Sequence, residues 1–131
     1  METMQVKTRS RIEFVDITSR VKEAISKTGV KEGVAVVYVP HTTAAVTINE
    51  AADPAVVQDI AEKLSQLVPH DKSYRHTEGN ADAHIKTTLV GSSVHLIVSG
   101  GSAVLGTWQG VFFCEFDGPR TRKVLVKIQA D

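Results

Sequence analysis

The sequence predicts an α+β fold: a mainly antiparallel two-sheet β-sandwich with two or three helices against it. Three observations predict this. From Ser93 to the end the chain carries only strand and turn signals, which excludes a sheet wound from strictly alternating strands and helices. Two earlier stretches repeat apolar residues at helical spacing. Between them, VAVVYV, residues 34–39, is apolar on both parities and rich in β-branched residues, as a strand is inside a layered core. With 131 residues, 42% of them hydrophobic, the chain is long enough for one core and too short for two, so a single domain over 1–131 is expected.

Taken in order, residues 4–17 alternate loosely, with Ile12, Phe14 and Ile17 among polar neighbours, and form one or two opening strands. Thr18 reads as the N-cap of a helix over 19–28, where Val21, Ala24, Ile25 and Thr28 share a face and Gly29 supplies the left-handed stop. VAVVYV follows as a strand covered on both faces and ended by Pro40. AAVTIN, residues 44–49, is the next strand, which makes residues 40–43 a link or bulge between two pieces of sheet. Asp53 as N-cap and Pro54 at the first helical position open a helix that runs to about residue 67 on a stripe of Val57, Ile60, Ala61, Leu64 and Leu67.

PHDKSYRHTEGNADA, residues 69–83, has no sustained period and reads as a surface loop, and HIKTTLVG as a short helix ending at Gly91. VHLIV, the turn SGGSAVLG, a long strand TWQGVFFCEF, the turn DGPR and a last strand KVLVKI complete the chain. Alternation along the long strand puts Trp108, Phe112, Cys114 and Phe116 on one face and Gln109, Val111, Phe113, Glu115 and Asp117 on the other.

Composition narrows the function classes. Fifteen Lys and Arg balance fifteen Asp and Glu, and no basic block interrupts the chain, so nucleic acid and anionic membrane are not expected partners. No run approaches the ~18 apolar residues of a membrane span, and METMQVKTRS lacks the apolar core of a secretory signal, so a cytoplasmic location is expected. The one cysteine, Cys114, lies in VFFCEF, where a thiol packs as a small hydrophobe.

Three groups of residues carry candidate chemistry. His41 sits where a strand ends, His76 inside the loop, and His84 at its far side, so three segments can aim imidazoles at one point, the construction of a three-ligand catalytic zinc site with an open fourth position. No HExxH or CxxC accompanies them, and a loop histidine is ordinarily a solvated side chain; His95, within VHLIV, reads as a strand residue. In NEAADP, Asp53 has its explanation as an N-cap, while Glu50 reads either as a general base or imidazole-orienting carboxylate or as an exposed strand-end charge. Lys86, Arg120 and Arg122, with glycines 100, 101 and 106, could grip an anion, although the glycines first serve hairpins and DGPR first reads as a turn.

In order and spacing, HTTAAVTINE, RHTEGNADAHIKTTLVGSS, LGTWQGVFFCEFDGPR and RKVLVKI together resemble the YjbQ-like family, whose members are often labelled secondary thiamine-phosphate synthases. The resemblance spans about residues 10–128 and departs at SVHLIVSGG, where the family commonly has a proline near the strand centre. It implies a two-sheet α+β fold, a homotrimer, and a cleft site near a subunit boundary, with His41, His76 and His84 lining a metal or anion site. It places Lys86, Asn80, Trp108, Gln109 and Arg120 as substrate- or anion-binding positions, beside Glu50, Glu115 and Asp117. The activity expected of this site is metal-dependent chemistry on a small phosphorylated substrate, with a divalent metal, zinc or magnesium, held by the three histidines, and with Glu50 or a histidine as the base where water is activated. Weak thiamine-phosphate synthase activity would be one form of it. The alternatives are a metal-assisted hydrolase and a non-catalytic trimeric metal- or anion-binding module.

Overall fold

Thirty-three buried residues organise the chain, which a computed structural model describes over residues 1–131. Eight strands and three helices follow in the order β1 (Glu2–Lys7), β2 (Glu13–Asp16), α1 (Thr18–Lys27), β3 (Gly33–Tyr38), β4 (Ala44–Glu50), α2 (Pro54–Leu67), α3 (Ala81–Val90), β5 (Ser93–Ser99), β6 (Ser102–Ala103), β7 (Gln109–Glu115) and β8 (Thr121–Ala130). The strands form two antiparallel sheets, β1-β8-β3-β5-β6 and β2-β7-β4. The fold is thus the α+β sandwich expected, and Pro40–Thr43 is the link that carries the chain from one sheet to the other. No helix is long and apolar enough to cross a membrane.

Two apolar layers hold it. Between the sheets, Met4, Val6, Ala35, Val37, Leu96, Val98, Val124 and Val126 meet Val46, Val111 and Phe113, with Val21, Ala24 and Ile25 of α1 completing the cluster. Behind the three-stranded sheet a smaller cluster joins Ala45, Cys114 and Phe116 to Ala83 of α3, with Phe14, Leu64 and Val90 against it. Strand β7 lies between the two layers, so Gly110 to Phe116 are all buried. Cys114 belongs to the inner side of this second layer, and burial pushes its thiol far above the ordinary range, which makes it a packing residue and not a nucleophile.

Several expectations are corrected here. VAVVYV is covered on one face only: Ala35 and Val37 are buried while Val34 and Tyr38 are 43% and 44% exposed, because the five-stranded sheet has helices and the partner sheet on one side alone. The strand buried on both faces is β7. Thr18 is the first residue of α1 and not its cap; Asp16 accepts the Thr18 N–H at 2.9 Å, and the Thr18 hydroxyl instead accepts the Val111 N–H at 2.9 Å, tying α1 to β7. The loop ends earlier than expected, since α3 begins at Ala81, whose burial with Ala83 draws the segment into helix. Trp108 lies in the turn before β7 and shares no strand face.

Other expectations hold. Asp53 caps α2, accepting the Ala55 N–H at 2.9 Å, with Pro54 at the first helical position. Gly91 ends α3 at φ 102°, a conformation open to glycine and strained for other residues. Strand β5 pairs continuously with β3 from Ser93 to Val98, so the missing proline leaves an ordinary ladder.

Candidate functional site

At one end of the sandwich, the inward-facing positions change from apolar to polar. On β1 the series Met4, Val6 continues to Thr8; on β8 Val126, Val124 continues to Arg122; on β7 Val111, Phe113 continues to Glu115. All three polar residues are buried, at 3%, 5% and 0% exposure. Buried charges persist only when paired and hydrogen-bonded, and here they are. Glu115 accepts the Arg122 Nε at 2.8 Å, a second bond from Arg122 Nη2, the Thr8 hydroxyl at 2.8 Å and the Asp117 N–H at 3.0 Å. Arg122 Nη2 also donates to the Thr43 hydroxyl at 2.9 Å. The same knot fixes Gly118: a Cβ there would fall on the Ser10 carbonyl and within 2.8 Å of the Thr8 hydroxyl.

This knot anchors the turn that bears His41. The His41 Nε2 accepts the Lys123 N–H at 2.9 Å, which assigns the ring proton to Nδ1. Burial, then the Arg122 guanidinium, hold His41 below the usual histidine range. An unfolded chain therefore takes up a proton at His41 that the folded chain refuses. Stability is expected to fall as pH drops from ~6.5 toward the lower folded value, and His41→Asn, measured by thermal unfolding across that range, should flatten the fall.

From the other side, Asn80 at the start of α3 donates to the Asp117 carboxylate at 2.9 Å, and Arg120 grips the same carboxylate at 3.0 Å. Burial works to raise Asp117, but these donors outweigh it and keep its carboxyl below the usual range. A cavity of about 380 Å³ remains between the two sides, lined by His41, Thr42, Thr43, Glu78, Asn80, His84, Asp117, Arg120, Arg122 and Pro40. Arg122 Nη1, unlike its other two nitrogens, has no partner in the chain and is not sealed from solvent.

The structure thus brings together His41, His84, Asn80 and Arg120 of the residues expected from sequence. His76 stands one ring further out: its centroid is 5.2 Å from that of His84, edge to face at 85°, and its Nε2 is 3.9 Å from Glu78. No three His, Cys, Asp or Glu side chains are grouped to hold one ion. With the His41 Nε2 lone pair engaged by Lys123, the residues as arranged do not fit zinc or magnesium on His41, His76 and His84.

Four expected residues lie elsewhere. Lys86 is 1% exposed and bonded to Asp82 at 3.0 Å, while Arg11 grips the same carboxylate at 2.9 and 3.2 Å, so Lys86 is an internal ion-pair partner and not an anion ligand. Glu50 pairs with Gln109 at the far end of β4 from Ala44, which pairs with Glu115. Six residues at about 3.4 Å each separate those ends by roughly 20 Å, too far for Glu50 to serve His41 within one chain. Trp108, 62% exposed, lies at that far end, where its carbonyl accepts the Ala51 N–H, and Gln109 closes the local turn by accepting the Gly106 N–H at 2.8 Å.

Sequence reading missed Thr8 and Thr43, and the joint role of Glu115 and Arg122. The signal was available: each of Thr8, Glu115 and Arg122 continues the core-facing parity of its strand, and polar groups at such positions require partners.

The α+β sandwich thus carries, at one end of its inter-sheet core, a small polar candidate site of imidazoles, guanidiniums, carboxylates and hydroxyls. The chain belongs to the YjbQ-like family, whose model, described as UPF0047 protein YjbQ-like, matches residues 2–131. It is 57% identical to a UPF0047 protein of Methanocaldococcus jannaschii over 97% of this chain and 92% of that protein. It is 48% identical to UPF0047 protein YugU of Bacillus subtilis over 98% of each. Among solved structures, an uncharacterised YjbQ/UPF0047 family protein of Clostridium acetobutylicum superposes with a TM-score of 0.96 at 51% identity, covering 98% of this chain and all of that one.

Proposed function

We propose that the chain binds the phosphoryl group of a small molecule in the cavity between His41, His84 and Arg122. The observation that carries this reading is the wall itself: two imidazoles, two guanidiniums and the Thr42 and Thr43 residues converge from four segments, with no apolar side chain but Pro40. Arg122 is oriented in advance by Glu115, so its free Nη1 is offered at a fixed angle, as phosphate recognition requires. Each arginine already faces a carboxylate, and Glu78 adds a negative charge at the rim, so a protonated imidazole is needed to offset that charge before a phosphoryl group enters.

Half-buried His84, whose ring nitrogens make no hydrogen bond in the chain, is the group free to hold or move that proton. The same proton would make it a general acid for a leaving oxygen, which supports small-molecule enzyme chemistry without a metal. Of the reactions the family resemblance suggests, the synthase reaction displaces a diphosphate; a site whose two cations are both already paired suits one phosphoryl group better than two.

Titration calorimetry with inorganic phosphate tests the reading. Binding should be measurable near neutral pH, and Arg120→Ala or His84→Ala should each weaken it about ten-fold. Absence of binding rejects it. Near one equivalent of zinc in the purified protein, lost alike from His41→Ala, His76→Ala and His84→Ala, would favour the metal-dependent reading instead.

We also propose the homotrimer that the family resemblance implies. Val34, Tyr38 and Ile97 line the open face of the five-stranded sheet, which a second copy would cover. Sedimentation should give a trimer for the native chain and smaller species for Ile97→Lys; a native monomer ends this part of the proposal.

A further inference from the structure

His84 is a wall of two cavities. Beside the polar one lies a second, of about 540 Å³, bounded by Tyr74, His76, Ala81, His84 and Ile85. Its chemistry is different. Tyr74 donates its hydroxyl to the Pro69 carbonyl at 2.9 Å, so the phenol ring, and not its polar tip, is what remains to offer. Ile85 and Ala81 add aliphatic surface, and the edge-to-face packing of His76 on His84 sets two flat rings at the junction. Arg75 at its margin has no ion pair or hydrogen-bond partner in the chain, and a guanidinium in that position stacks on flat π systems. A donor-rich open pocket next to a shallow apolar one, with one imidazole between them, matches a ligand having a phosphoryl head and a ring-bearing body that lies against the surface.

Resting on the phosphoryl reading above, we propose that the ligand is a phosphate monoester of a flat, uncharged, ring-bearing alcohol. Its phosphoryl group enters the chamber of His41 and Arg122, its ester oxygen lies beside His84, and its ring occupies the chamber of Tyr74, His76 and Ile85.

Three probes separate the two readings on the unaltered full chain: inorganic phosphate, glycerol phosphate and phenyl phosphate, compared by titration calorimetry. Phenyl phosphate should bind at least about ten-fold more tightly than glycerol phosphate, the effect of seating one aromatic ring against apolar walls. Ile85→Ser should remove most of that preference while inorganic phosphate binds as before. In methyl-detected NMR of the native protein, phenyl phosphate but not glycerol phosphate should shift the Ile85 methyls by ring current, a readout that needs no variant. Equal affinity for phenyl and glycerol phosphate, with inorganic phosphate still bound, would overturn the ring chamber and leave the phosphoryl site standing. Failure of all three probes to bind would overturn both.

Discussion

Glu115→Ala is expected to destabilise the fold by about 3–5 kcal/mol, because it strands the Arg122 guanidinium in a buried position with only Thr43 to bond. The loss should appear as a large drop in the denaturant midpoint with little change in slope. Removing both charges tests the cause: Glu115→Met combined with Arg122→Leu should recover much of the stability, since two well-packed apolar side chains replace an ion pair whose desolvation offsets most of its attraction. The same double variant should still lose phosphate, as the free Nη1 has gone. If the double variant were no more stable than Glu115→Ala, the buried-charge account would be wrong.

Asp82→Ala should be the second large effect, about 3–5 kcal/mol by the same measurement, and it carries an internal asymmetry. Asp82 is the one acceptor for two cations, buried Lys86 and half-exposed Arg11, so its loss leaves Lys86 uncompensated in the interior. Lys86→Met should be milder, because Asp82 keeps both bonds from Arg11. Burial works to raise the Asp82 carboxyl, but its two cationic donors hold it below the usual range. Its contribution is therefore present above the unfolded value of about 3.9 and lost as pH falls through the lower folded one. An Asp82→Ala variant as stable as Lys86→Met would contradict this ordering.

Phosphate affinity should follow both variants unequally. Glu115 touches the arginine that faces the cavity, whereas Asp82 acts one layer behind, through the seating of α3 and thus of Asn80 and His84.

Much of this was legible in the residues. The Asp53-Pro54 start of α2, the glycine stops at Gly29 and Gly91, and the β-only last third are local signals, each read within a few residues of its effect. The family resemblance also marked His41, His84, Asn80 and Arg120, which the fold brings to one cavity. The errors have a common source. VAVVYV and VFFCEF look alike as strings, yet the first lies on an outer sheet with one open face and the second between two apolar layers. Lys86 and Glu50 were assigned by motif to the histidine site. The first turns inward along α3 to Asp82, and the second sits a whole strand length away.

By itself the sequence determined the element types, their order and the polar ends of its core-facing strands, because propensity, capping and alternation act through neighbours along the chain. Only the tertiary structure decided which polar ends meet. Bringing Thr8 to Glu115 joins residues more than a hundred positions apart, and it follows from sheet order and register, which no local pattern encodes.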